Sequence, residues 1–249
     1  MVTALQAITA CYDLYDYGTP PPVTKWLYVS ASTDPIYYGI TQIDDTILVV
    51  FRGSTTILDF IRDMEAGANP FNHSKLGPVH PGAWYGLEII LIKIFTQYSP
   101  QQVQFTGHSL GAMRATLAAA WTAASFPFLS PALPPRIVFG EPKSGFLQEA
   151  NLANIPGSLS FWNTTSSILE SDPVYNLPFT FYPELYVHGT SPTIVWYAPD
   201  GSGPDALWGI VAPHYSGYYL KAVQQWSTLS SLKSFKPTLI QKPPFIILS

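Results

Sequence analysis

The sequence predicts an α/β domain with a mostly parallel central sheet flanked by helices. Three observations predict it. Short apolar or β-branched runs alternate along the chain with longer stretches of helical periodicity. One of those runs, "TILVVFRG", is continuously apolar, as a strand buried on both faces is. The 249 residues are 47% hydrophobic and only 11% charged, which supplies one sizeable core and is too apolar for disorder.

The elements follow in order. In "VTALQAITACYDLYDY", residues 2 to 17, Leu5, Ile8, Tyr12 and Tyr15 recur at three- and four-residue spacing and predict a helix that "GTPPP" stops. "KWLYVSAS" and "PIYYGITQID" are short and aromatic or β-branched, and predict strands. The Asp44-Asp45 pair before "TILVVFRG" predicts a hairpin turn. "PGAWYGLEIILIKIFTQY" predicts one helix, apolar over most of its circumference, and "VQFTG" a short strand. From Leu110 to about Ser125 runs an Ala-rich helix, whose Ala112, Ala115, Ala118 and Ala119 permit close approach to a sheet. "RIVFG", "SLSFW" and "PTIVWYA" predict further strands, and "YSGYYLKAVQQW" a closing helix. There is no internal repeat, and the Pro-rich patch from Phe126 to Pro135 is too short and apolar for a linker. Residues 1–249 therefore read as a single domain.

Composition excludes several classes of partner. Twelve basic against sixteen acidic residues leave a net charge of −4 with no basic block, so nucleic acid is excluded. Cys11 is the only cysteine, which rules out an intrachain disulfide and a thiolate metal cluster. The N-terminus has neither a basic region nor a long apolar core, so no secretory signal is expected, and location stays open between the cytoplasm and a mature secreted form. The longest uncharged stretch, Ala115 to Pro135, is broken by Pro127, Pro131, Pro134 and Pro135, so no transmembrane span is expected.

The chemistry points to "FTGHSLGA", residues 105 to 112, where Ser109 stands in G-x-S-x-G spacing. The string alone arises by chance in about one chain of this length in ten. Its setting is far more specific: a strand precedes it and a helix follows. A sharp strand-to-helix turn needs Gly107 and Gly111, because a Cβ at either would clash, and it lifts the serine hydroxyl above the sheet. The helix N-terminus adds donors and partial positive charge.

A serine hydroxyl needs a base, and the base needs an orienting carboxylate. In this kind of turn the chain order is Ser, acid, His. Asp172, Asp200 and Asp205 follow Ser109, together with Glu141, Glu170 and Glu184. Asp172 comes shortly after the strand "SLSFW", on the sheet edge where open α/β sheets carry their sites. Asp200 and Asp205 sit in "PDGSGPD", where Asp serves a turn, and Asp205 is the runner-up. His214 opens the last helix and can reach back to the turn, whereas His188 precedes "TIVWYA" at the opposite end of that strand.

These residues and several others match one family in order. "VVFRGS", "TTILDFIRDM", "VHPGAW", "GHSLGA", "GEPKSG", "DPVYNLP", "HGTSPTIVWY" and "PHYSGYY" run in the family's sequence. The chain resembles the class 3 lipases, the α/β-hydrolase family of the filamentous-fungal triacylglycerol lipases, from about Tyr38 to about Tyr218. In "GEPKSG", Lys143 and Ser144 stand where Arg and Val are usual. The resemblance implies an α/β-hydrolase fold with a short lid, Ser109 as nucleophile, Asp172 as acid and His214 as base. It implies that the backbone N–H groups of Ser54 and Leu110 form the oxyanion hole, with the Ser54 hydroxyl a third donor. It makes His80 and His188 structural.

By the same resemblance "TTILDFIRDM" is the lid. Ile57, Leu58, Phe60, Ile61 and Met64 share one side of a short helix, with Asp59, Arg62 and Asp63 toward the other. Such a segment covers an apolar cleft in water and opens onto a lipid surface, a transient contact. The expected function is hydrolysis of a lipid ester through an acyl-enzyme, triacylglycerol foremost, with no metal or organic cofactor. Phospholipase A1 and feruloyl-type esterases share the triad. An acyltransferase, or a silent hydrolase fold used as a binding module, are the readings from other classes.

Overall fold

The computed structural model describes residues 2–15, 23–31, 33–55, 71–100, 102–126, 136–142, 159–164 and 193–197, with 217, 219–221 and 223–224. Helix α1 is Ala4–Leu14. Strands β1 (Trp26–Val29), β2 (Tyr38–Ile43) and β3 (Thr46–Phe51) follow, then a small hairpin of β4 (Phe71–His73) and β5 (Gly77–Val79). Helices α2 (Pro81–Trp84) and α3 (Leu87–Tyr98) lead to β6 (Val103–His108) and α4 (Leu110–Ser125). Strands β7 (Ile137–Phe139), β8 (Leu159–Thr164) and β9 (Thr193–Tyr197) follow, and residues 217, 219–221 and 223–224 are helical.

Among the described residues, seven strands form the main sheet, in the order β1-β2-β3-β6-β7-β8-β9. β1, β2 and β3 are antiparallel neighbours, and every pair from β3 through β9 is parallel. The sheet is thus mostly parallel, as expected, and its parallel strands all end at one edge. Asp44-Asp45 forms the two-residue turn between β2 and β3, with Ile43 opposite Thr46 and Asp44 at φ 51°, the left-handed conformation that such tight hairpins demand.

Two apolar layers sandwich the sheet. Val49 and Phe51 of β3 pack with Val103, Phe105, Leu91, Ala115 and Ala118 on the face covered by α2, α3 and α4. Leu48 and Val50 point the other way and pack with Ile8, Cys11 and Leu14 of α1, and with Tyr219 and Val223. Burial on both faces is why "TILVVF" carries no polar alternation. Each such fully buried aliphatic side chain contributes about 1.5–3 kcal/mol. Every residue of α4 from Leu110 to Thr122 is buried, and its small side chains let it lie close to β3, β6 and β7.

Two features differ from the sequence reading. The stretch 81–98 is two helices, not one. Gly86 adopts φ 79° and Tyr85 turns out of the helical region, so the axis changes between Trp84 and Leu87. The second of these helices buries Leu87, Leu91 and Ile94, while Ile89 and Ile92 are exposed, a narrower apolar face than expected. The β4–β5 hairpin was not anticipated, because its three-residue strands include Pro78 and are too short to show alternation. His73 braces its turn, its Nδ1 accepting from the Lys75 and Leu76 N–H groups at 3.1 and 3.2 Å.

Candidate active site

The site is built at the edge where the parallel strands end. β6 is buried along its whole length and stops at His108. Ser109 follows at φ 61°, ψ −130°, a backbone conformation that side chains rarely adopt. Its N–H donates to the Phe139 carbonyl of the adjacent strand at 3.0 Å, and its own carbonyl accepts from the Ala112 N–H at 2.9 Å. These bonds, with the first turn of α4, hold the strained residue in place. Leu110 is the first residue of α4, so its N–H has no acceptor within the helix and lies at the positive end of the helix dipole.

The two glycines of the turn permit contacts between backbones. A Cβ on Gly107 would stand 2.2 Å from the Gly111 carbonyl oxygen, and a Cβ on Gly111 only 2.0 Å from the Phe51 carbonyl oxygen. The start of α4 therefore presses on the turn after β3. That turn, Arg52-Gly53-Ser54, is held in place in turn. The Arg52 N–H donates to the Tyr37 carbonyl at 3.0 Å, and the guanidinium lies over the Tyr37 ring, 3.9 Å from its centroid. A Cβ on Gly53 would fall 2.7 Å from Ser109 Cβ. Ser54 is the residue that follows Gly53 in this turn.

The opposite wall comes from α1, and sequence reasoning missed it. The three residues of β6 that face this helix are polar, and each has a partner there. Gln104 Oε1 accepts from the Val2 N–H at 3.3 Å, Thr106 Oγ1 lies 3.6 Å from Cys11 Sγ, and His108 Nδ1 lies 3.0 Å from the Tyr15 hydroxyl. The Tyr15 hydroxyl also accepts from the Gly53 N–H at 2.9 Å. Apolar periodicity places Tyr15 on the N-terminal helix, and no local signal ties it to a turn so far along the chain.

Other chemically interesting groups have structural partners. Burial pushes the Cys11 thiol up to about 12, so it stays protonated and is no nucleophile. Glu141, one of the acids that follow Ser109, is buried, accepts a hydrogen bond from Thr116 Oγ1 and stands 3.8 Å from the buried Arg136 guanidinium. His80 is fully buried and caps α2, its Nδ1 accepting from the Ala83 N–H at 3.3 Å. Among the described residues, no three His, Cys, Asp or Glu side chains are grouped to hold a metal ion, and no helix is long and apolar enough to cross a membrane. The expected acid Asp172, the base His214, the alternatives Asp205 and His188, and the lid residues Ile57, Leu58, Phe60 and Ile61 lie outside the described residues. The structure thus brings together Ser109, Leu110 and the Ser54 turn.

Comparison with known proteins agrees with this geometry. The family model described as "Lipase (class 3)" matches residues 48–182, from within β3 past the serine turn and Asp172. Among solved structures, a triacylglycerol lipase whose catalytic centre is described as a serine protease triad is 22% identical, covers 79% of each chain and has a TM-score of 0.59. The triacylglyceride lipase of Rhizomucor miehei is 21% identical over 80% of each chain, with a TM-score of 0.57. A lipase from Rhizopus microsporus var. chinensis is 23% identical, covering 79% of this chain and 72% of its own, also at 0.57. At such identities these structures establish the fold, while the family match spans more than half of the sequence. The chain belongs to the class 3 lipase family and is a carboxylic-ester hydrolase with the α/β-hydrolase fold.

Proposed function

We propose that the chain is a triacylglycerol lipase that works through an acyl-enzyme on Ser109. His214 takes the Ser109 proton as Oγ adds to the ester carbonyl, and passes it to the departing glycerol oxygen. A water then adds to the acyl-enzyme, again losing its proton to His214, and the fatty acid leaves as Ser109 recovers its hydrogen. Asp172 holds the imidazole in the needed tautomer. The negative charge that builds on the carbonyl oxygen in each half-reaction is met by the Ser54 and Leu110 N–H groups and the Ser54 hydroxyl. Loss of one such donor typically costs about 3 kcal/mol.

The observation that carries this reading is the geometry at Ser109: a strained serine between β6 and α4, with the turn bearing Ser54 packed against its Cβ. The seven-stranded sheet, which draws strands from Trp26 to Tyr197, supports reading 1–249 as one domain. Ser109 is only 3% exposed. We assign a movable cover to the segment 55–64 on the sequence pattern, whose Ile57, Leu58, Phe60 and Ile61 would face the cleft in water and the lipid when open, the same transient contact read from the sequence. The solved relatives that share the fold are described as triacylglycerol lipases, which supports this substrate class.

The test is hydrolysis of p-nitrophenyl esters of increasing acyl length and of emulsified triacylglycerol. Wild type is compared with Ser109→Ala, Asp172→Asn and His214→Ala. The expected result is a long-chain optimum and loss of turnover by a factor of ~10³ or more in each variant. Activity confined to short soluble esters overturns the lipid assignment, and wild-type turnover in Ser109→Ala overturns the mechanism.

A further inference from the structure

We propose that Tyr15 is a positioning residue for this hydrolysis, its hydroxyl setting the distance between the oxyanion turn and the nucleophile. The proposal rests on the assignment of Ser109 as nucleophile and of the Ser54 turn as part of the oxyanion hole.

The argument is geometric. An N–H only donates, so the Tyr15 oxygen accepts from Gly53, at 2.9 Å. The same oxygen lies 3.0 Å from His108 Nδ1, and a bond forms there whichever of the two atoms carries the proton. Gly53 immediately precedes the oxyanion donor Ser54, and His108 immediately precedes Ser109. One oxygen atom therefore ties together the two residues whose neighbours must face each other across the reacting carbonyl. The fit is tight, since a Cβ on Gly53 would stand 2.5 Å from that hydroxyl and 2.6 Å from the His108 carbonyl.

The hydroxyl is itself held from behind. The Tyr15 ring meets the His108 ring edge-on at 5.6 Å, and Tyr219 meets the same imidazole at 5.6 Å on another side. α1 is registered on β6 by the Val2–Gln104 and Cys11–Thr106 contacts, which bring its last residues to the strand end where the serine lies. Rigid second partners of this kind matter because hole and nucleophile must keep their spacing as charge builds, and a misplacement of about 1 Å costs ~10²-fold in rate. Tyr15 acts through Gly53 and His108.

The test uses the full chain and a soluble short-chain p-nitrophenyl ester, with wild type, Ser109→Ala, Tyr15→Phe, His108→Phe and the Tyr15→Phe/His108→Phe double variant. Tyr15→Phe keeps the ring and removes only the hydroxyl. The expected result is a fall in kcat of about tenfold with KM changed less than about twofold. Inactivation by a phosphonate ester, whose tetrahedral adduct uses the same hole, slows by the same factor. His108→Phe cuts the bridge from the other side while keeping a ring against Tyr219, and it lowers kcat alike. The double variant is then no worse than the poorer single one, because both remove one linkage. If Tyr15→Phe does not fold, His108→Phe with its kcat-only loss carries the test. An unchanged kcat in Tyr15→Phe, or in His108→Phe where only that variant folds, beside an inactive Ser109→Ala overturns the role of Tyr15 alone. Multiplicative losses in the double variant, or a loss seen only in KM, do the same. Turnover in Ser109→Ala overturns the underlying assignment.

Discussion

Gly111→Ala is the sharpest perturbation of the site. The added methyl would stand 2.0 Å from the Phe51 carbonyl oxygen, 2.7 Å from the Phe51 carbonyl carbon and 2.9 Å from that of Arg52. All three are backbone atoms, so no side chain can rotate away. Restoring the 3.4 Å of ordinary contact requires α4 and the end of β3 to part by about 1.4 Å. Neither side yields readily. Phe51 is in register with Gly107 in the parallel β3–β6 ladder, and α4 is buried from Leu110 to Thr122. Overpacking of this sort costs about 3 kcal/mol, and at 2–4 °C per kcal/mol for a chain of this size the melting midpoint falls by about 6–12 °C. The catalytic effect is of similar size, since the parting separates the Ser54 N–H from the Leu110 N–H of the proposed oxyanion hole. A shift above 1 Å at a preorganised hole lowers kcat by ~10²-fold or more. The assay is kcat on a soluble p-nitrophenyl ester, well below both melting midpoints, beside a thermal melt. Ala124→Ser, at an exposed position near the other end of the same helix, is the control and stays within about 0.5 kcal/mol of wild type. A Gly111→Ala protein with wild-type kcat and a midpoint within about 2 °C refutes the reasoning.

Three further predictions concern Ser109 and Cys11. Ser109→Gly and Ser109→Ala are both inactive, but the glycine variant melts higher, by about 1 kcal/mol, because φ 61°, ψ −130° costs glycine little; equal midpoints would show that the turn stores no strain. Cys11, 1% exposed, does not react with a disulfide reagent at pH 8 until the chain unfolds, and modification of the native protein would contradict its placement. Its pKa also sets a pH dependence with a definite sign. Burial raises it from the ordinary 9.0 to about 12, so between those values the unfolded chain has lost a proton that the folded one retains. Stability from this group is full below pH 9 and falls as the pH rises, by at most about 1.4 kcal/mol per pH unit. Melts from pH 8 to 11 show the decline in wild type relative to Cys11→Ala, and parallel curves refute it.

What the sequence determined by itself is what short-range patterns encode. The unbroken run "TILVVF" predicts a strand covered on both faces, and it is one. Asp44-Asp45 between two apolar runs had to turn. G-x-S-x-G between a strand and an Ala-rich helix placed Ser109 at a strained turn, because only glycines allow the contacts there. Ser54 and Leu110 as oxyanion donors came from family resemblance alone, whereas Asp172 and His214 followed from chain order and position, with which the resemblance agrees. The tertiary structure decided the rest. The break at Gly86 was hidden because an apolar helix pattern continues across a single left-handed residue. The β4–β5 hairpin was hidden because three residues are too few for a period. Tyr15 read as one more apolar position on a helix. Its contacts with Gly53 and His108 lie 38 and 93 residues away, and they exist only because α1 packs on the polar face of β6. Local periodicity records which side of an element is buried; only packing decides which distant atom it is buried against.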